Sequence, residues 1–458
     1  MKKTFISGFI LCFIGTFSMS SIAQEYKNFD LSKYYTPDIV RNQLDVSGSS
    51  NGSFNSSLDH SSGNYINGNL NAAFSNYKST RKLIRTINAN ISLSGITGNG
   101  NDLTTGTNRQ NGDFNNSAGF GTSYQLFNTS KQFLSFGGNI NYGYASEYSN
   151  QTDSLKKADT YKHYSLNAGL NAYIGVGIGR IENVTDAQQA VYLLEAFTKN
   201  NVLDRDLSTN EIFSLSQEIS RIKNKRFLDA RLHLMDEVSH VDSFFVANNL
   251  IKKSDANYFT NLYDIWLYGD RFERKAGQSF EIRFTPSATL YNYYYKTTYE
   301  ISNNTNLENE NSNLIATYNL ALIYNYEKPV NQKWQHSINA TLVGVFSDQR
   351  YTKANASYRL GFYPNTRTNL YAQISQNIEY NFYGSPTING YTYPVNIKKF
   401  SSDTYLALGT YYYFSPQLRL TAAINLMKQH QIGYITGISQ TSNTLNSNFS
   451  VGVNYSFF

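Results

Sequence analysis

The sequence has one cysteine in 458 residues, and that cysteine, Cys12, lies within the first 23 residues. Residues 1–23 have the pattern of a secretory signal peptide, in which two lysines precede a short apolar stretch and the tripeptide Ser21–Ala23 offers small residues to the signal peptidase. We therefore predict a mature chain that begins at Gln24 and has no thiol, disulfide or lipid anchor. This absence is consistent with an oxidising envelope compartment.

Charge and long apolar runs are also scarce. Only 16% of the residues are charged, the formal net charge is +6, and lysine and arginine form no dense stripe, so nucleic acid is not expected as a partner. Beyond the signal peptide, no segment reaches the ~18 consecutive apolar residues of a membrane-spanning helix. The chain is instead rich in aromatic residues, with 38 tyrosines and 29 phenylalanines at a mean hydropathy of −0.45. These rings require a surface to cover.

An alternation of apolar and polar residues accounts for the aromatics. In WQHSINATLVGVF (residues 334–346) and LRLTAAINL (418–426), most alternate residues are apolar, which predicts β-strands with one apolar and one polar face. Many such segments exceed the ~5–6 residues usual for strands of soluble proteins. We identify about fourteen of them, at residues 43–58, 62–78, 83–98, 112–127, 131–149, 161–179, 277–300, 312–327, 333–347, 350–363, 368–384, 399–414, 417–435 and 444–458.

The connections between these segments alternate in length. Short turns such as STRK (79–82) alternate with long polar links such as GNGNDLTTGTNRQNG (98–112). This pattern is typical of a transmembrane barrel with short periplasmic turns, and an even strand number puts both chain ends in the periplasm. A secreted soluble β-sandwich would also alternate, but it would not need aromatic strand ends. Tyrosines near strand ends are predicted to form girdles at the membrane interfaces, among them Tyr291, Tyr293–Tyr295 and Tyr411–Tyr413.

The last ten residues, FSVGVNYSFF, resemble the C-terminal signal of Gram-negative outer-membrane barrels that the assembly machinery recognises. Val451, Val453, Tyr455 and Phe457 share one phase of the alternation, whereas Phe458 departs from the pattern as one extra residue. The composition, rich in tyrosine and asparagine, is similar to that of Bacteroidota-type envelope proteins. The resemblance implies the bacterial outer membrane as the location, with membrane lipids and the outer-membrane assembly machinery as partners.

The predicted fold is all-β, a transmembrane antiparallel β-barrel of about 14 strands with an inserted small α-helical periplasmic domain. By strand parity, the sixth strand runs towards the periplasm, so the segment that follows it is periplasmic. The signal peptide would be followed by an N-terminal periplasmic segment or plug (24–42), the first part of the barrel (43–181), the helical insert (182–275) and the second part of the barrel (276–458).

The insert has clear helix signals. Thr185-x-x-Gln188 and Ser208-x-x-Glu211 both match a capping box, in which the two side chains satisfy amides of the first helical turn. We predict helices from Thr185, over about 209–223 and 225–250, and from about Asp255 to a stop at Gly269. Because each has an apolar face, the helices should pack together. The later faces comprise Leu228, Leu232, Met235, Val238, Val241 and Phe245 in the third helix, and Phe259, Leu262, Trp266 and Leu267 in the fourth.

A few charged residues lie on the polar parity of the strands. Their exposure to lipid would cost roughly 2–4 kcal/mol for an arginine or lysine at the midplane, so we assign them to the lumen. They could form a constriction that orients a polar solute, or they could pair and hold the wall together. The residues are Glu281, Arg283, Lys353, Arg359, Glu379 and Arg419.

Catalytic and cofactor signals are weak. The six histidines form no recognisable nucleophile arrangement, and Glu237-x-x-His240 supplies only half of a di-metal motif, so we expect no enzyme, metal or cofactor. The leading functional prediction is a channel or porin-like protein for small solutes, with the insert at the periplasmic mouth. The alternative is an envelope scaffold or assembly factor whose insert, residues 182–275, docks a periplasmic protein. For the insert itself, a structural cap, a docking module, a lumen plug and a catalytic domain all remain open.

Overall fold

Fourteen strands form one sheet in which each strand is antiparallel to the next along the chain. The computed structural model describes residues 26, 29–56, 61–102, 105–128, 131–155, 157–224, 233–269, 271–301, 305–347, 350–382, 387–388, 391–392, 398–415, 417–435 and 438–455. The strands are β1 Ile39–Ser56, β2 Ser61–Ser79, β3 Leu83–Asp102, β4 Thr107–Phe127, β5 Gln132–Thr152, β6 Ala158–Asn183, β7 Lys275–Tyr299, β8 Thr305–Pro329, β9 Trp334–Phe346, β10 Arg350–Asn365, β11 Thr368–Phe382, β14 Lys398–Tyr413, β15 Leu418–Ile435 and β16 Ile438–Tyr455. A separate two-residue hairpin joins β12 Thr387–Ile388 to β13 Tyr391–Thr392. The predicted strand number is confirmed, and β1 and β16 are the two edges of the sheet.

The two faces of the sheet have an inverted polarity. On the face that we call outer, large apolar side chains such as Leu170, Ile174 and Val176 are more than half exposed. On the opposite, inner face, the carboxylate of Glu281 is only 5% exposed. Because exposed apolar faces of this extent require an apolar solvent, the outer face is a lipid-facing surface. The fold is that of an outer-membrane β-barrel, as predicted.

Several predicted links are strand rather than loop. The link at residues 98–112 is mostly taken up by β3, which ends at Asp102, and by β4, which begins at Thr107. Strands β7 and β8 each have 25 residues. At about 3.4 Å per residue and a tilt of about 40°, such a strand spans roughly 60 Å, more than twice the ~25 Å apolar band of a barrel. The prediction of long links was therefore wrong for the β3–β4 and β7–β8 hairpins, which continue beyond the membrane as paired strands. It was right for the link between Phe382 of β11 and Lys398 of β14, which stays long.

The insert contains the predicted helices, α1 Thr185–Lys199, α2 Thr209–Asn224, α3 Leu234–Ala247 and α4 Ala256–Tyr268. Val238, Val241 and Phe245 of α3 are buried, but Met235 is 68% exposed, so its placement on the apolar face was wrong. In α4, Leu262 and Trp266 are buried while Phe259 is 43% exposed, and Gly269 ends the helix as predicted. Leu228 and Leu232 lie outside the described residues. None of the described helices is long and apolar enough to cross a membrane.

One of the two predicted capping boxes is present. The backbone N–H and hydroxyl of Ser208 both donate to the Glu211 carboxylate at 2.8 Å, and the Glu211 N–H donates back to the Ser208 hydroxyl. The box at Thr185 and Gln188 was wrong. There the Thr185 N–H donates to the Asn183 side chain, and both predicted capping side chains accept hydrogen bonds from Arg274 instead.

The acid stability of the insert should depend on Glu211. Donation from Arg205, and then from Ser208, lowers the pKa of the Glu211 carboxyl from 4.5 to about 2. Because the pKa is lowered on folding, the ionised Glu211 stabilises the folded insert fully above pH 4.5, and this stabilisation is lost as the pH falls towards 2. We expect Glu211→Gln to flatten the decline in the free energy of unfolding over that window, and Ser208→Ala to cost about 1 kcal/mol at neutral pH.

The measurement is chemical unfolding followed by the fluorescence of Trp266, which is buried in the insert. The chain has two tryptophans, so the background Trp334→Phe makes Trp266 the sole reporter. An equal acid decline in Glu211→Gln and in the parent would contradict the prediction.

The N-terminal segment packs onto the insert. Tyr26, Phe29, Leu31 and Tyr34 are all buried in the same apolar core as α1 and α2, and Leu31 begins a short 3-10 helix, Leu31–Lys33. The Tyr26 hydroxyl donates to Asp206 at 3.0 Å and accepts from the Leu207 N–H at 3.1 Å. These described residues of the predicted segment 24–42 are therefore part of the helical domain rather than a separate stopper within the barrel.

Candidate functional site

Arg274 fastens the insert to the sheet. Its side chain, 1% exposed, lies immediately before β7, where the chain leaves the insert. The guanidinium donates five hydrogen bonds: to the carbonyls of Asn331, Gln332 and Trp334, and to the side chains of Gln188 and Gln335, at 2.7–3.3 Å. It also stacks 4.5 Å from the ring centre of Tyr363. One side chain therefore joins α1, the β8–β9 turn and the inner face of β9 and β10.

Gln332 extends this junction to the N-terminal segment. The side-chain amide N–H of Gln332 donates to the backbone carbonyls of Tyr26 and Phe29 at 3.0 and 3.2 Å. The backbone carbonyl of Gln332 accepts a hydrogen bond from Arg274. The insert, the β8–β9 turn and the N-terminal segment thus meet at one buried point.

Further polar contacts hold the insert across the same end of the sheet. Arg367, in the β10–β11 turn, pairs with Asp264 of α4, and its guanidinium lies 4.1 Å from the ring centre of Tyr268. At the root of the insert, Glu182 at the end of β6 pairs within the sheet, with Arg180 at 2.9 Å and with Arg81 of the β2–β3 turn at 3.2 Å, and it accepts a hydrogen bond from Thr36 of the N-terminal segment. The insert therefore covers this end of the sheet, to which we refer as the insert end.

A glycine pair bends the hairpin that leads into the insert. Gly179 in β6 has φ +98° and Gly277 in β7 has φ +120°, values that residues with a Cβ rarely adopt. A Cβ on Gly179 would collide with the carbonyl oxygen of Gln278, and one on Gly277 with that of Arg180. The two strands therefore approach each other closely where they leave the barrel wall.

Four of the six predicted inner charges form ion pairs. Arg283 binds Glu281 through two hydrogen bonds of 2.7 and 2.9 Å, and the Ser135 hydroxyl donates to the same carboxylate at 2.6 Å. Lys353 pairs with Glu379 at 3.0 Å from the directly opposite position of the neighbouring strand. These four charges are thus paired within the inner face.

The remaining two, Arg359 and Arg419, line a cavity of about 400 Å³ at the insert end. Its wall consists of inner-face residues of β8–β11, β14 and β15. Its roof is formed by Arg271, Phe272, Glu273 and Lys275, where the chain leaves the insert. Arg271 and Phe272 of the roof contact the ring of Tyr413, at 5.5 Å and 5.9 Å. The cavity is thus the place where the insert meets the polar inner face, and it is our candidate functional site.

The tyrosines of β14 correct one prediction. Tyr411 and Tyr413 line the cavity on the inner face, so they are not part of an outer girdle. Tyr412, between them, is 38% exposed and packs against Phe414 with ring centres 4.8 Å apart. The alternation of strand side chains makes this outcome inevitable, since adjacent residues point to opposite faces.

The C-terminal residues remain a predicted assembly signal. Val451, Val453 and Tyr455 are all exposed on β16, an edge strand. Phe457 and Phe458 lie outside the described residues.

The described part of the chain offers no metal centre, since it contains no cluster of three or more potential ligands. Glu237 is buried and accepts a hydrogen bond from the indole of Trp266 at 2.8 Å. His240 is hydrogen-bonded to the carbonyl of Asp236. The Glu237-x-x-His240 motif therefore has a structural explanation within the insert.

No protein-family model matches the sequence, and no curated protein matches it. Its fold is similar to the ferric yersiniabactin uptake receptor FyuA of Yersinia pestis, at 9% identity and a TM-score of 0.41, over 90% of this chain and 60% of FyuA. It is also similar to the toluene transporter TodX of Pseudomonas putida, at 10% identity and a TM-score of 0.27 over 91% and 94% of the two chains. OmpT, an outer membrane protein of Vibrio cholerae, shows 7% identity and a TM-score of 0.27 over 91% and 97%. The chain thus spans about 60% of the length of FyuA.

Proposed function

We propose that the protein is an outer-membrane channel for small polar solutes whose periplasmic mouth is covered by the helical insert. The proposal rests on one observation: the helical insert is held against this end of the sheet by contacts of Arg274, Asp264 and Arg271. A lipid-facing outer surface and a polar inner face provide a route for polar solutes only if the cover can move or leave a gap. The insert is thus the element expected to control passage.

The test is conductance in a planar lipid bilayer, with and without the insert. Asn183 and Lys275 are directly paired, so residues 184–274 can be replaced by a two-residue Asn-Gly turn that preserves the β6–β7 hairpin. Since the deletion removes the core against which Tyr26, Phe29 and Tyr34 pack and so exposes these side chains, a second deletion also removes residues 24–36. We expect both deletions to raise the single-channel conductance several-fold over the full-length protein.

The matched control is Ser208→Ala, which weakens a helix cap of the insert and leaves the contacts with the sheet in place. Its conductance should equal that of the parent. Absence of conductance in all of these proteins would overturn the channel proposal.

The alternative, a scaffold whose insert docks a periplasmic protein, has a more limited basis. Val246, Phe259 and Tyr263 on α3 and α4 are 54%, 43% and 42% exposed, which gives the insert apolar side chains available for contact. Affinity purification of the full-length protein from envelopes should then recover one defined protein that Phe259→Ser/Tyr263→Ser loses. An empty purification counts against this alternative.

A further inference from the structure

Two arginines and two tyrosines form a continuous row across four strands of the inner face. The Arg359 guanidinium lies 4.1 Å from the ring centre of Tyr371, and the Arg419 guanidinium lies 5.6 Å from that of Tyr411. The two rings are stacked on each other at 6.2 Å and 24°. The row thus runs Arg359, Tyr371, Tyr411, Arg419 over β10, β11, β14 and β15.

A glycine makes room for this row. Gly409 is the direct cross-strand partner of Tyr371, and a Cβ on Gly409 would come within 2.5–2.6 Å of the Tyr371 ring and hydroxyl. The ring therefore lies over Gly409, between the two ends of the row. The position of Tyr371, and through it the seat of Arg359, depends on the absence of a side chain at residue 409.

The row carries uncompensated positive charge. Among the described residues, no carboxylate oxygen lies within 4.0 Å of Arg359 or Arg419, in contrast to Arg283 and Lys353 on the same face. The Nε of Arg419 is buried and has no hydrogen-bond partner in this part of the chain. A guanidinium stacked on a tyrosine ring retains its N–H groups for planar, two-point binding of a carboxylate or phosphate.

The other groups around the cavity define what else a ligand would meet. The lining also has two carboxylates: Glu273 pairs with Lys275, whereas Glu327 accepts hydrogen bonds from the uncharged Gln335 and Ser337 and keeps its negative charge. The lining therefore has four positive side chains against two negative ones. Asn369 is 6% exposed, and its side-chain oxygen has no hydrogen-bond partner among the described residues. A ligand hydroxyl or amide would satisfy that oxygen.

We propose that this cavity is a binding site for a small organic anion, attracted by the positive charges of Arg359 and Arg419 at the two ends of the row and held at a hydroxyl by Asn369. Its volume of about 400 Å³ lies within the ~300–1,000 Å³ usual for small-molecule sites. Arg271 adds a third positive charge from the insert, so the roof takes part in the site. This inference rests on the proposed function in one respect, since the channel would bring the anion to the cavity.

Binding can be measured without conduction, by titration calorimetry of the full-length protein in detergent. The probes are gluconate for a hydroxylated carboxylate, inorganic phosphate for a phosphate, and glucose as the neutral control. We expect gluconate or phosphate to bind and glucose not to bind, and the stronger of the two anions identifies the acid group. No binding of either anion would overturn the proposal.

The variants separate this site from a general effect of positive charge. Arg359→Gln and Arg419→Gln should each weaken anion binding about tenfold or more, because each removes a charged donor pair. Gly409→Ala should also weaken it, since the added methyl displaces the Tyr371 ring while all charges remain. Lys353→Gln removes one inner charge outside the cavity and should bind as the parent does. Equal binding by Arg359→Gln, Arg419→Gln and Lys353→Gln would overturn the assignment.

Folding of each variant is checked by its resistance to unfolding in a denaturing gel without heating, and Arg359→Lys is available if Arg359→Gln does not fold. The two proposals fail separately. Anion binding without conductance in any form would remove the channel and keep the site, whereas conductance without anion binding would remove the site and keep the channel.

Discussion

Replacing Arg274 by methionine should release the insert from the barrel while leaving both parts folded. Methionine keeps the apolar stem but loses all five hydrogen bonds. The carbonyls of Asn331 and Gln332 lose the guanidinium donor, whereas that of Trp334 keeps its hydrogen bond from the Val330 N–H. Burial lowers the pKa of the Arg274 guanidinium, so the surroundings disfavour its charge and the acceptors offset that penalty. The substitution leaves neutral buried acceptors without this donor, at about 1–3 kcal/mol for each acceptor that is left unpaired.

Limited proteolysis of the protein in liposomes measures this release. We expect cleavage within residues 184–274 to accelerate at least tenfold in Arg274→Met. The reason is that the cleavage rate follows the fraction of molecules in which the insert is detached, and the lost contacts raise that fraction. The cleavage rate of Arg274→Lys should lie between those of the parent and of Arg274→Met, because a lysine keeps the charge but cannot donate to five acceptors as the planar guanidinium does. Lys252→Met, which removes a single exposed contact with Asn201, serves as the control. Unchanged cleavage in Arg274→Met would show that other contacts hold the insert.

Alanine at Gly179 or Gly277 should prevent normal assembly of the β6–β7 hairpin. Each position combines a positive φ with a backbone carbonyl in the space that a Cβ would occupy. The backbone strain alone costs about 1–3 kcal/mol, and the collision with carbonyl oxygens of Gln278 or Arg180 adds to it because backbone atoms cannot rotate away. Both substitutions act at the root of the insert.

The fraction of protein that resists unfolding in an unheated denaturing gel reports this defect, together with the urea midpoint of the remaining folded protein. Gly68→Ala and Gly143→Ala are matched controls, since a Cβ at either position meets no atom within 4 Å. We expect normal assembly in the controls and a strong loss in Gly179→Ala and Gly277→Ala. Similar fractions of folded protein in all four variants would contradict the prediction, since the β6–β7 hairpin would then tolerate a side chain at Gly179 and Gly277.

The barrel wall was predictable from the sequence because lipid on one side and polar groups on the other impose a strict period of two. That period placed all fourteen strands, and strand parity placed the insert on the side of the short turns. The start of α2 was predictable too, since a capping box is a local interaction between Ser208 and Glu211. Each of these features depends on residues close in sequence or on one solvent boundary.

The errors have a common physical origin. Where the hairpins extend beyond the membrane, both faces of each strand contact water. The alternation of apolar and polar residues is therefore lost there, and the sequence of a paired strand resembles that of a polar loop. Thr185 and Gln188 match the sequence of a capping box. Their side-chain oxygens instead accept hydrogen bonds from Arg274, which is 89 and 86 residues away in the chain. The row from Arg359 to Arg419 crosses four strands and depends on Gly409, for which the sequence carries no local signal.

The buried junction at Gln332 also constrains the order in which the chain can assemble. It joins residues 26 and 332, which are 306 positions apart, and thereby connects the N-terminal segment to the β8–β9 turn. Closing so long a loop costs conformational entropy, so this contact should form late. Strand β1 can pair with β2 before that, but the contact between the N-terminal segment and Gln332 can form only after the chain as far as the β8–β9 turn is in place.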